Sequence, residues 1–237
     1  MPQLAVPLTI DPDQVAPLYA RDSETGQTIP DPAIEAAASA LTVARSQAMA
    51  IADLASRLDA DPSRTSAARA LELRRAALRA GERAAEALDR ARSVAQTERA
   101  ELDAATSAPP IPPGAGALES EVRAALRAMP AGERAKALAA AISAGESLIA
   151  GAVLRAPGLL SGLSADELEL HRANYRRLHH PGAADRLDRV GRALAALDRA
   201  GEALVSFTAK ATERGEEAAE RSAAADAALN ALTAEGA

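Results

Sequence analysis

The chain has 237 residues, 65 of them Ala and 28 Leu, with 25% charged and 1% aromatic side chains. Such a mix is the signature of long helices, and one Phe, two Tyr and no Trp exclude a large β-sandwich or barrel and nearly exclude a parallel α/β enzyme. The net charge of -6 is spread thinly with no strongly basic block, and zero Cys removes disulfides, thiolate metal sites and thiol catalysis.

The opening stretch MPQLAVPLTIDPDQ has no basic segment and is broken by Pro and Asp, so no signal peptide is expected. No apolar run approaches the roughly 20 residues that span a bilayer, so no membrane partner is expected. Residues 1–31 carry Pro at 2, 7, 12, 17 and 30, too often for a helix. They are expected to form an extended Pro-rich arm, with a possible small hairpin around Ser23–Gly26. On this reading the arm has no core positions of its own and serves contacts with neighbours.

Residues 32–106 read as an antiparallel helical hairpin. Asp31 as N-cap and Pro32 at the first helical position start its first helix. Small or apolar residues repeat there as heptads, Ile34, Leu41, Ala48 and Ala55 on one line and Ala37, Ala44, Ile51 and Leu58 on the other. Asp59-Ala60-Asp61-Pro62 repeats the start signal and predicts a second helix from about Pro62 to Thr106. It would be about 65 Å long, so the hairpin should protrude or pack along another long element. Residues 107–117, SAPPIPPGAGA, read as a stiff Pro/Gly linker.

A bundle of shorter helices is expected over 118–180, at about 118–129, 131–144, 145–155 and 164–180. Its expected core is Leu118, Val122, Leu126, Leu138, Ile142, Leu148, Ile149, Val153, Leu154, Leu159, Leu160, Leu163 and Leu168. Residues 181–237 read as a long C-terminal helix and tail. Its seam runs Leu187, Val190, Leu194, Leu197, Gly201, Leu204, Thr208, Ala211, Gly215, Ala218, Ser222, Ala225, Leu229 and Leu232. Leu187, Val190, Leu194, Leu197 and Leu204 are its large members and the candidate contacts with a coiled-coil partner. The fold class is therefore all-α: an elongated helical hairpin, a helical bundle, a long coiled-coil-like C-terminal helix and an extended N-terminal arm.

Chemistry is sparse. His171 and His179 are eight residues apart on one helix, about 12 Å along its axis, too far for one metal. Glu167 and His171 could supply two ligands, with no third in view. His179 and His180 suit a helix C-terminus. The segment 171–180, HRANYRRLHH, is the one basic and aromatic patch: Arg172, Arg176, Arg177 and Tyr175 could grip phosphates or an acidic partner. Alternatively Leu168, His171, Tyr175 and Leu178 form a buried stripe, with the arginines as its solvated face. Arg69, Arg74, Arg75, Arg79 and Arg83, interleaved with Glu72 and Glu82, read as an ordinary salt-bridged helix surface. Pro113-Gly-Ala-Gly116 lacks a P-loop continuation, Gly158-Leu-Leu-Ser-Gly162 is out of register for G-x-S-x-G, and S-x-x-K is absent. No enzyme, cofactor or metal is expected.

The run LRAPGLLSGLSADELE through Tyr175, Leu154 to Tyr175, resembles uncharacterised helical proteins encoded among the structural genes of tailed bacteriophages and prophages. The resemblance implies a virion-associated structural role, with assembly in the bacterial cytoplasm and partners that are copies of the chain or other structural proteins. Two other classes fit the sequence: a soluble coiled-coil adaptor or regulator of a bacterial machine, and a helical nucleic-acid-binding protein.

Overall fold

A computed structural model describes residues 4–235, with the side chains at 214, 222, 223 and 225–235 excepted. Seam positions Ser222, Ala225, Leu229 and Leu232 therefore lie outside the described side chains. The protein is 80% helical and predominantly all-α. Three short 3-10 turns (Leu8–Ile10, Pro12–Gln14, Ala16–Leu18) precede a two-stranded hairpin, β1 (Ala20–Arg21) and β2 (Thr28–Ile29). Helices follow: α1 (Pro32–Ala60), α2 (Ser66–Thr106), α3 (Gly116–Ala128), α4 (Ala131–Ala144) and α5 (Ser147–Leu154). A 3-10 turn at Gly158–Ser161 then leads to α6 (Ala165–His179) and α7 (Pro181–Glu235).

The chain divides into two units, Met1–Gln96 with Arg192–Ala237, and Thr97–Gly191. Both divisions fall inside helices, α2 and α7, rather than at the Pro/Gly stretch 107–117. That stretch is no free spacer. Pro109 is buried and its carbonyl accepts from the Arg155 guanidinium, and Ala108 packs on the second unit's core.

In the first unit, α1 begins as its residues dictate: the Asp31 carboxylate accepts from the Ala33 amide at 3.1 Å, with Pro32 following. All eight heptad positions of α1 are buried. Ile34, Ala37, Leu41 and Ala44 share a cluster with Ala84, Ala87, Leu88 and Ala91 of α2, and with Ala193, Ala196, Leu197, Ala200 and Leu204 of α7. A second cluster joins Ile51, Ala55 and Leu58 to Leu73 and Ala77 of α2 and to Phe207 and Ala211 of α7. The long hairpin thus finds its long neighbour within its own chain. The two helices approach closely near Gly215, where a Cβ would lie 2.7 Å from the Ala70 carbonyl oxygen. Helix α2 starts four residues later than expected. The Asp61 carboxylate accepts from Ser63 instead of capping, and the Thr65 hydroxyl accepts from the Ala68 amide at 3.2 Å.

The N-terminal segment corrects the expectation of an extended arm without core positions. Pro7, Pro12 and Pro17 set tight turns that bring Ile10, Val15 and Leu18 into the core cluster with α1, α2 and α7. Asp11 also pairs with Arg45 of α1. The hairpin is present, closed by Asp22, whose carboxylate accepts from the Glu24 and Thr25 amides, and by Gly26 at φ +67°.

In the second unit, Leu126, Leu138, Ile142, Val153, Leu154, Leu163, Leu168 and Tyr175 form the core, with Val122 and Ile149 at its edge. The Ser164–Glu167 capping box opens α6 with both reciprocal bonds made. Pro130 sits at the N-cap position of α4, its carbonyl accepting from the Glu133 and Arg134 amides, and Gly145 ends α4 in the left-handed conformation at φ +71°. Three expected core residues, Leu118, Leu159 and Leu160, are exposed, Leu159 at 82%, and Leu148 is half-buried.

Candidate functional site

The seam on α7 has a partner, and that partner is the chain itself. Leu197 and Leu204 are buried against α1 and α2, and Val190 is fully covered. Leu187 and Leu194 are only half-covered. A parallel row of small residues, Ala193, Ala196 and Ala200, is buried in the same cluster, because α7 faces two helices rather than one. The buried seam residues are therefore closed to a second molecule unless the bundle opens.

The basic patch on α6 is likewise drawn inward. Arg176, only 8% exposed, donates from Nε to the Thr106 hydroxyl at 3.0 Å and pairs through Nη2 with Asp103. Arg172 donates from Nε and Nη2 to the Leu154 carbonyl at 2.9 and 2.8 Å, and from Nη1 to Glu169 at 2.6 Å. That carbonyl belongs to the last turn of α5, so Arg172 caps a helix end. Arg177 alone of the three is exposed. The acidic group that Arg176 grips is inside the chain, and the expectation of a solvated arginine face is corrected for Arg172 and Arg176.

Tyr175 is buried, with its ring 4.7 Å from that of His179 and 5.6 Å from that of His180. Burial pushes its phenol pKa up, against an opposing pull from Arg155. A ring nitrogen of His179 lies 2.7 Å from the Ile142 carbonyl, tying the end of α6 to α4. Leu178, expected in the buried stripe, stands 57% exposed; the stripe is Leu168, His171 and Tyr175. Among the described residues no three His, Asp or Glu side chains come together as a metal site, and no helix is long and apolar enough to cross a membrane.

The surroundings of His171 alter its titration. Burial lowers its pKa below the ordinary value, with the Glu167 carboxylate pulling weakly the other way. The unfolded chain therefore binds a proton more readily than the native one, so stability falls as pH drops through about 6.5 and levels off below the native pKa. Urea unfolding at pH 7.5 and 5.5 should show a loss at the lower pH that shrinks in His171→Gln. An equal loss in both proteins would remove His171 as its source.

No protein-family model matches the chain, and no curated protein or solved structure matches it.

Proposed function

We propose that the chain is a non-enzymatic structural component of a large protein assembly, a bacteriophage virion in which it is associated with the head, neck or tail. The observation that carries this reading is the set of leucines that the second unit leaves outside. Leu118 on α3, Leu159 and Leu160 on the 3-10 turn, and Leu170 and Leu178 on α6 are all exposed. A single exposed leucine is ordinary, but five among residues 118–178 are apolar surface suited to covering by another subunit. Supporting it, the side chains best able to do chemistry, Arg172, Arg176 and His179, act as struts within the fold. The run Leu154–Tyr175 that resembles phage structural proteins lies in the same unit.

The reading is tested by native mass from light scattering, for the chain alone and mixed with the products of neighbouring genes. A stable complex with itself or with such a product is expected. A strictly monomeric chain that binds none of them would overturn it. Binding to DNA that collapses between about 50 and 200 mM salt would mark a phosphate-contacting protein instead.

A further inference from the structure

The outer face of α1 is short of charge for most of its length. Between Glu35 and Asp53 its exposed residues are Ser39, Thr42, Val43, Ser46, Met49 and Ala50, in a chain where a quarter of residues are charged. The one charged side chain in that interval, Arg45, is half-covered and paired with Asp11. Thr42 donates its hydroxyl to the Ala38 carbonyl at 2.8 Å, so its polar atom is satisfied by its own helix and its methyl is left for a neighbour. Val43 and Met49 are 36% and 49% exposed. Beside Val43 runs a shallow, mostly apolar groove of about 240 Å³ between α1 and α2, lined by Ala36, Ala40, Val43, Ala87 and Val94, with Arg90 as its one charged lining residue.

Charge at the two ends of this face indicates what covers it. Glu35 and Arg57 are both exposed and lie eleven residues either side of Ser46. Glu35, Ser39, Thr42, Ser46, Ala50, Asp53 and Arg57 follow at helical spacing, the same read in either direction. We propose that this face is a homotypic docking surface, on which α1 of a second copy packs antiparallel about Ser46. In that register Glu35 falls opposite the second copy's Arg57, and Ser46 meets its own equivalent on the two-fold axis. A parallel register would set Glu35 against Glu35 and Arg57 against Arg57, which like-charge repulsion disfavours. The inference rests on the assembly reading above and gives it a first contact.

The full chain serves for the test, since it holds no native cysteine. Light scattering over a concentration series should show a monomer–dimer equilibrium. Val43→Arg should weaken it by about tenfold or more, without lowering the melting temperature, because the residue is exposed. Glu35→Arg and Arg57→Glu should each weaken it, and the double variant should restore it. On mild oxidation, Ser46→Cys should form a disulfide dimer by itself, whereas Glu35→Cys should do so only when mixed with Arg57→Cys. A chain that stays monomeric throughout overturns the proposal, as does a dimer indifferent to Val43→Arg and to the charge swaps. If the chain still binds neighbouring gene products after such a result, the docking surface alone has failed. If it binds none, the assembly reading has failed with it.

Discussion

Replacing Leu197 with Asp is expected to unfold the first unit. Leu197 is fully buried at the point where α7 meets α1 and α2, so the carboxylate would enter a cluster of apolar side chains. An unpaired buried charge costs several kcal/mol, comparable to the total stability of about 5–15 kcal/mol of a typical domain. Leu194, three residues earlier and half-covered, can turn a carboxylate towards water, so Leu194→Asp should cost roughly a third as much or less. Denaturant unfolding of the two variants measures the difference. Read as a simple heptad seam, α7 would make the two substitutions equally severe; the second row, Ala193, Ala196 and Ala200, rotates the buried face and separates them. Ala218 is also buried, and Gly215 sits in close contact with α2, so the packed part of α7 extends further than a fading Leu seam implies. Ala218→Asp should accordingly be more damaging than Leu194→Asp.

Deleting residues 1–30 should lower the melting temperature sharply. The deletion removes Ile10, Val15 and Leu18 from the core, each worth about 1.5–3 kcal/mol of burial, and leaves the apolar surface of α1 and α7 beneath them exposed. It also removes Asp11, the partner of Arg45. At about 2–4 °C per kcal/mol for a chain of this size, the fall should be of the order of 10 °C or more. A thermal melt followed by circular dichroism checks it. An unchanged melting temperature accompanied by weaker self-association would return the segment to the role of an arm exchanged between subunits.

How far the fold was legible varied with how much each residue type says. The heptads of α1 were readable because Ile34, Leu41, Ile51 and Leu58 are large, and burial follows apolar area. The start of α1 was readable because the chemistry of Asp31 and Pro32 is local, whereas the similar signal at Asp61-Pro62 does not open α2, since Asp61 accepts from Ser63 and the helix begins at Ser66. Alanine carries little such information: in a chain with 65 of them, nothing marks Ala193, Ala196 and Ala200 as buried and Ala195 as exposed. The N-terminal core residues were missed because irregular turns leave no period to detect, although prolines five residues apart did mark where the turns fall. Leu159 and Leu160 mislead for the opposite reason: they sit in an apolar cluster of the sequence, but the short turn bearing them leaves both exposed.

The candidate site depended on long-range pairing. Arg176 finds Asp103 and Thr106 about seventy residues away in sequence, and no local spacing announces it. Sequence alone therefore left the α6 patch open between a binding surface and a solvated face; in the structure Arg172 and Arg176 brace the second unit, and Arg177 is exposed. The outer face of α1 carries no apolar repeat. Its signal is the scarcity of charge between Glu35 and Asp53, bounded by charges of opposite sign.

The chain keeps its strongest apolar seam for itself, and the contacts proposed with other molecules use faces outside it. Hydrogen exchange across residues 193–211 as a function of concentration tests this most directly. If α1 and α2 of the same chain cover α7, these amides should exchange slowly and at the same rate at every dilution, including where the chain is monomeric. Protection that falls as the protein is diluted would show that a second molecule fills the seam, and would contradict the account.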